Sequence, residues 1–291
     1  MPELPEVETV VRGLGKLLPR QTIKTVEVLS AKSFLKATGL TEKPAAIEGL
    51  KIRSLSRRGK GIIIHLTRDY CLLIHLKMTG QLVYIEKDAK KRLNYGHPDA
   101  NFLESMPSSH TRVFLRLTNG VLYFNDQRRF GYVKLTREEL LDSDPFIKRL
   151  GIEPLSLEFN SKFLAGLARR RARSNIKATL LDQSGVVGVG NIYADEALFD
   201  AKVQPTRLGD SLSPTEITRL TKSVKKVIAL GIKYSGTSLT HYKTGEGAQG
   251  KMQNHLKVYG RTGLPCTVCK TPIKKIRTAG RGTHYCPSCQ K

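Results

Sequence analysis

Acidic side chains are scarce in this chain. Its 291 residues carry 25 Asp and Glu against 49 Lys and Arg, a formal net charge of +24. Such a field selects polyanionic partners, nucleic acid first and an anionic membrane second. Long apolar runs are missing too. No stretch approaches the ~20 residues that a spanning helix needs, so membrane insertion is not expected. The chain opens on Met-Pro-Glu rather than on a basic and then apolar leader. No secretory signal is therefore expected, and the chain belongs in the cytoplasm, where thiols stay reduced. Internal repeats are absent. Cysteine is sparse, at five residues, and four of these stand in two close pairs near the end.

What is present suits two domains. The length supports two modest cores, and an apolar content of 40% is ordinary for globular protein. Val7, Val10, Val11, Leu14 and Leu17/Leu18 recur at helical spacing and predict an amphipathic helix over 6–18. Strand-like runs follow at Thr22–Leu29, Gly61–Leu66, Tyr70–Leu76, Gln81–Glu86, Val113–Leu117, Val121–Phe124 and Tyr132–Thr136. The polar segment Lys87–Ser109, with Pro98 and Pro107, reads as a long loop without an element of its own. Helical patterns take over with a bridging stretch, Leu140–Leu150, and then cover 159–170, 175–183, 191–201 and 214–230. The Gly-rich stretch from Ser235 to Gly250 reads as mobile, and short strands return near Leu256–Tyr259 and around the final cysteines. The expected class is α+β. An N-terminal helix and antiparallel β-sandwich fill 1–138, a linker 139–156, a helical DNA-binding domain 157–250 and a ribbon 251–291.

Four motifs carry chemistry. Cys266-x2-Cys269-x16-Cys286-x2-Cys289 has the spacing of a four-thiolate zinc ribbon. Two disulfides are the competing reading, disfavoured in a reducing compartment. Four thiolates leave no open position, so one structural zinc is expected. Cys71, inside an apolar run, reads as core. Residues 251–291 hold nine Lys and Arg and no acid, so the ribbon is expected on phosphate, with Arg281 between glycines at a hairpin tip. Gly188-Val189-Gly190-Asn191 precedes a helix whose N-terminus favours phosphate. Finally, Pro2 becomes a terminal secondary amine if Met1 is trimmed. It then adds to a sugar aldehyde carbon without a cofactor, and Glu3 stands beside it to move protons. No rival nucleophile motif occurs elsewhere.

The opening Pro2-Glu3-Leu4-Pro5-Glu6-Val7-Glu8-Thr9 resembles that of bacterial formamidopyrimidine-DNA glycosylases, and similar motifs recur almost to the last residue. The resemblance implies excision of oxidised purines, 8-oxoguanine and formamidopyrimidines, from duplex DNA. Pro2 forms the Schiff base and β,δ-elimination cuts the strand. It implies catalytic roles for Pro2, Glu3, Lys60 and Arg281. It implies a helix–two-turn–helix from Asn175, with DNA contacts at His75, Met78, His110, Arg128, Phe130, Arg173, Lys177 and Asn191. A flipped base leaves a hole that apolar or planar side chains must fill, and the resemblance gives that task to Met78, Arg128 and Phe130. DNA is expected in a cleft between the halves of a nucleoid-associated monomer that needs no protein partner.

The chain departs from the family pattern in places. Lys77 replaces a usual glycine, Arg112 a common second histidine, and the 87–109 and 235–250 segments are unlike it. Two alternatives stand beside this reading. An endonuclease VIII-type enzyme would take oxidised pyrimidines, and a non-catalytic basic zinc protein would leave Pro2-Glu3 without a role.

Overall fold

The computed structural model describes residues 1–87, 92–96, 105–237 and 250–291. The chain divides into two compact units, Met1–Lys148 with Ser235–Lys251, and Arg149–Tyr234 with Met252–Lys291. The first unit is therefore discontinuous in sequence, since the segment after Tyr234 packs with it.

Unit 1 opens with α1 (Leu4–Leu14), which Pro5 starts, and Leu4, Val7, Val10, Val11 and Leu14 form its buried face. Among the described residues ten strands follow: β1 (Ile23–Val28), β2 (Phe34–Lys36), β3 (Ile52–Arg58), β4 (Gly61–Leu66), β5 (Tyr70–His75), β6 (Gly80–Glu86), β7 (Arg92–Gly96), β8 (Thr111–Leu117), β9 (Gly120–Asp126) and β10 (Tyr132–Arg137). They make two five-stranded sheets, β1-β8-β9-β6-β7 and β2-β10-β5-β4-β3. All pairings are antiparallel except β10 with β2. The side-chain period of two sorts the core. Ile62, Ile64, Leu72, Ile74, Leu82, Tyr84, Val113, Leu115, Leu122 and Phe124 join one cluster with α1. Their sequence neighbours Val83, Phe114 and Tyr123 form a separate cluster on the opposite face. Each fully buried Ile or Leu contributes about 1.5–3 kcal/mol of transfer free energy.

Two expectations need correction, and a third gains detail. The segment Lys87–Ser109 is not loop throughout, because Arg92–Gly96 pairs with β6 as an edge strand. Tyr95 of that strand packs so tightly on α1 that a Cβ at Gly13 would sit 1.8 Å from its hydroxyl. The bridging stretch Leu140–Leu150 is two short helices, α2 (Glu138–Leu141) and α3 (Pro145–Lys148). Pro145 lacks an N–H to continue a helix. Asp144 restarts the chain instead, accepting the Phe146 N–H at 2.8 Å and the Lys134 ammonium at 2.6 Å. Leu256–Tyr259 forms no strand. The N–H groups of Lys257, Val258 and Tyr259 donate to the buried Glu196 carboxylate at 2.8, 2.9 and 2.8 Å.

Unit 2 holds α4 (Ser161–Arg170), α5 (Ile176–Leu181), α6 (Asn191–Asp200) and α7 (Pro214–Lys233), then the hairpin β11 (Lys274–Thr278) and β12 (Arg281–Tyr285). Three of these helices begin on a capping side chain. Asn160 caps α4, accepting the Phe163 N–H at 3.0 Å, and Asn175 caps α5 through Ala178 at 2.8 Å. Ser213 and Glu216 form a reciprocal capping box on α7, with Pro214 in its first turn. Phe199, Val258, Ile273, Cys266 and Cys286 make a small core that joins α6 to the ribbon.

Candidate active site and nucleic-acid interface

Pro2 is half-buried, immediately before the first turn of α1, and Glu3 is buried at its N-cap. The Glu3 N–H donates to Glu6 Oε2 at 3.0 Å, while Glu6 Oε1 accepts the Thr237 N–H at 2.8 Å. One buried carboxylate thus joins the start of α1 to the chain after Gly236, whose φ is +76°. A Cβ at Gly236 would lie 2.7 Å from Glu6 Oε1. Farther along α1, Glu8 accepts from Arg12 at 2.7 Å and from Arg57 at 3.0 Å. Burial raises the Glu8 carboxyl, but these two guanidinium contacts outweigh it and hold it below its ordinary value. Arg57 also donates to Gly59 O at 2.9 Å. It therefore fixes the two-residue turn that carries the buried Lys60 to the helix that carries Pro2.

The candidate void-filling side chains stand out from unit 1. Phe130 is 56% exposed and Met78 43% exposed, which excludes core packing for both. The Arg128 guanidinium lies 4.8 Å from the Phe130 ring centre, in cation–π range. Left-handed backbone at Lys77 (φ +50°) and Arg129 (φ +57°) turns these loops outward. His110 is half-buried on a neighbouring loop. His75 is buried, packed edge-on to Phe146 at 5.0 Å, and its Nδ1 accepts the Lys77 N–H at 3.0 Å. A neutral His75 therefore carries its proton on Nε2. Cys71 is buried, and burial pushes its thiol up to about 12, as suits an inert core residue.

In unit 2 the two turns between α5 and α6 are fixed by Gln183. Its carbonyl oxygen accepts the Gly188 N–H at 2.8 Å, and its amide donates to Val189 O at 2.9 Å. Asn191, at the start of α6, donates to Gly282 O of the hairpin at 2.9 Å. Arg173 is exposed, and so is Arg281, which follows a two-residue turn with positive φ at Ala279 and Gly280. Lys177 differs from the expected surface contact. It is fully buried, its ammonium 2.6 Å from Asp195 Oδ1 and 2.7 Å from Thr283 Oγ1. Asp195 Oδ2 also accepts the His284 N–H at 2.8 Å. From this position the lysine fastens α5 and α6 to the hairpin and offers no ammonium to a phosphate.

The four C-terminal cysteines converge, with all four Sγ atoms within 4.8 Å of one another. Cys266 and Cys289 lie 3.9 Å apart, Cys269 and Cys286 3.4 Å. Tetrahedral zinc with Zn–S near 2.3 Å requires Sγ separations of about 3.8 Å, so the set fits the ion. The N–H groups of Val268 and Cys289 point at Cys266 and Cys286 sulfur, each at 3.4 Å, as thiolates require. All four are free thiols, not disulfides.

The buried carboxylates of Glu6, Asp126, Asp195 and Glu196 were not singled out from the sequence. Glu6, Asp126 and Asp195 organise backbone or a cation around a candidate residue, and Glu196 holds the turn at Lys257–Tyr259 that leads into the ribbon. An acid on a helix reads as solvated, and nothing in its neighbours marks it as buried. Only Asp126 has a signal, because it stands just before a polar turn ending in glycine.

Comparison with known proteins agrees with this geometry. Residues 1–133 match the formamidopyrimidine-DNA glycosylase N-terminal domain, 150–243 its H2TH domain, and 263–291 the zinc finger found in FPG and IleRS. The formamidopyrimidine-DNA glycosylase of Pelotomaculum thermopropionicum is 42% identical over 292 residues, covering 100% of this chain and 99% of the relative. That of Streptococcus mutans is 39% identical over 293 residues, with both chains fully covered. A Lactococcus lactis FPG mutant, solved in complex with Fapy-dG-containing DNA, superposes with a TM-score of 0.86 at 35% identity, and each chain is fully covered. MutM (FPG) of Thermus thermophilus gives 0.84 at 37% identity, covering 99% of this chain and 98% of that one. The chain belongs to the formamidopyrimidine-DNA glycosylase family, the zinc-finger DNA N-glycosylases of base-excision repair.

Proposed function

We propose that the chain excises oxidised purines from duplex DNA through an N-terminal proline Schiff base and then cuts the strand by β,δ-elimination. The observation that carries this reading is Pro2-Glu3 immediately before the anchored first turn of α1, with Lys60 on a turn fixed to the same helix through Arg57 and Glu8. Removal of Met1 exposes the Pro2 amine, which in its neutral form attacks C1′ of the flipped nucleotide. Glu3 gives a proton to the opening sugar, the damaged base departs, and an iminium joins Pro2 to C1′. Loss of the 2′-proton expels the 3′-phosphate, and a second elimination expels the 5′-phosphate. Lys60 and Arg281 supply positive charge to the leaving phosphates.

The duplex is held by Arg173, the start of α6 at Asn191, and Arg281 in unit 2. The Met78, His110 and Arg128–Phe130 loops hold it in unit 1. His75 and Lys177 are buried and act by orienting their neighbours. Cys266, Cys269, Cys286 and Cys289 would hold one zinc, which would fix the two cysteine knuckles behind Arg281. The substrates are formamidopyrimidines and 8-oxoguanine opposite cytosine, and the enzyme acts as a cytoplasmic, nucleoid-associated monomer. The Fapy-dG-containing DNA in the Lactococcus lactis complex supports this lesion class.

Borohydride added during turnover reduces the iminium and locks protein to DNA. Peptide mapping should place that bond on residue 2, and protein that keeps Met1 should bind DNA without being trapped. A crosslink on Lys60 would overturn the assignment. Cleavage of a thymine-glycol duplex in preference to an 8-oxoguanine duplex would move the enzyme to the endonuclease VIII type.

A further inference from the structure

We propose that Asp126 is the positioning residue that holds the Met78 and Arg128–Phe130 loops in one register, so that they enter the vacated base site as a single wedge. The proposal rests on the extrusion role given above to those loops. Asp126 is the last residue of β9 and is fully buried. Its Oδ1 accepts the Thr79 hydroxyl, next to Met78, and the Arg128 N–H at 3.2 Å. Its Oδ2 accepts the Gly131 N–H at 2.6 Å. Thr79 Oγ1 accepts the same Arg128 N–H at 3.1 Å, which closes the link between the two loops. The Asp126 backbone reaches a third loop. Its N–H donates to His110 O at 2.9 Å, and its carbonyl accepts from Arg112 Nε at 2.8 Å. Arg112 in turn donates to Ser109 O at 3.1 Å.

The candidate contacts Met78, His110, Arg128 and Phe130 therefore hang on one side chain and its peptide groups. A buried carboxylate is costly unless its lone pairs are used, and here N–H and O–H donors on both sides use them. The local backbone is built around this arrangement. Arg129 is held left-handed, a conformation that persists only where its surroundings over-determine it. Gly131 admits no side chain, since a Cβ would stand 2.9 Å from His75 O and 3.1 Å from Asp126 Oδ2. The absence of that side chain lets the Gly131 N–H reach the carboxylate. Neither loop shifts without breaking a hydrogen bond to the other. Three side chains converging on one void demand this, because a displacement near 1 Å at a reacting site costs about 100-fold in rate.

Substitutions at two positions separate this role from a generic fold role. Asp126→Asn keeps the shape but turns one acceptor into a donor, which then faces either Gly131 N–H or the Thr79 and Arg128 donors. Thr79→Val removes only the bridging hydroxyl, and Thr79→Ser keeps it. Single-turnover rates are measured on a formamidopyrimidine duplex, which needs extrusion, and on a single-stranded oligonucleotide with an abasic site, which has no partner base and no void. Asp126→Asn and Thr79→Val should slow the duplex reaction about 10–100-fold, and at least about tenfold more than the single-stranded reaction. Thr79→Ser should restore most of the duplex rate. Equal losses on both substrates, or a Thr79→Val protein as fast as wild type, would overturn the proposal. If Asp126→Asn does not fold, the Thr79 pair decides. A readout without chemistry is 2-aminopurine placed opposite a non-reactive abasic analogue, whose fluorescence rises as the wedge unstacks it. Thr79→Val should blunt that rise and Thr79→Ser should not, whether or not Pro2 proves to be the nucleophile. A wild type inert on both reactive strands refutes the chemistry alone.

Discussion

Single residues divide here by exposure. Phe130 is 56% exposed, with the Arg128 guanidinium over its ring, so that ring contributes little to the fold. Truncating a core phenylalanine costs about 3–5 kcal/mol, whereas surface changes usually stay within about 0.5 kcal/mol. Phe130→Ala should therefore leave the thermal midpoint near that of wild type while slowing excision from duplex DNA. Calorimetry and single-turnover rates on one preparation check both halves, and a midpoint drop of the core size would contradict them. Much at this scale was legible in the sequence. The cysteine spacing is a local string whose chemistry follows from residue type and order, and the four thiols converge as it requires, whereas the roles of Pro2-Glu3 and of the Arg-Arg-Phe-Gly loop are implied by the family resemblance and stand as proposals. Lys177 was not legible as buried. A lysine in a basic run reads as solvated, and only the distant Asp195 and Thr283 take its charge inside.

Among the elements, strands that are continuous apolar runs were legible nearly to the residue, as at Gly61–Leu66, which is buried at every position but His65. Those that escaped are edges. β3 offers only Ile52 and Leu55 among Ser and Arg, and β7 only Leu93 and Tyr95. Their membership is decided by partners β4 and β6, not by their own pattern. The joint between α5, α6 and the hairpin yields a prediction. Lys177→Met leaves Asp195 charged and buried without its cation, which should cost about 3–5 kcal/mol. The double variant Lys177→Met with Asp195→Leu should recover much of that loss. Denaturant melts of the two proteins check it, and equal losses would show that the pair is not coupled. The cap of α7 gives a second prediction. The Arg207 guanidinium, 2.5 Å from Glu216 Oε1, holds that carboxyl at about 2. An unfolded glutamate titrates near ~4.3. A depressed carboxylate adds stability above its unfolded value and loses it as pH falls through its folded value. The stability gap between wild type and Glu216→Gln should therefore be full near neutrality and close between about pH 4.3 and 2. A gap that widens on acidification would reverse the sign.

For the whole molecule the dominant property is its charge. A formal +24 is more than solubility requires, and residues 251–291 contribute nine cations without one acid. Composition alone pointed to a polyanion, while the fold supplies what composition lacks, a shaped place for the charge. In unit 2, Arg281 is presented by a tight turn, and its hairpin is fastened by Asn191 to α6 and by Gln290 to Val203 O at 2.8 Å. The four thiols behind that hairpin fit one zinc. Two consequences follow together. Fresh, reduced protein should carry one zinc per chain. Cys286→Ser should release it and weaken DNA binding, while unit 1, whose core lies in its own sheets, keeps its fold. A clamp making roughly 6–10 phosphate contacts should also lose about 10³–10⁵ in affinity between 50 and 200 mM salt. The two measurements constrain each other. If the hairpin supplies phosphate contacts, the zinc-free variant must bind more weakly and also show a shallower salt slope. Weaker binding with an unchanged slope would mean that the hairpin shapes the site without touching the backbone. A nearly flat response in wild type would remove the electrostatic account altogether.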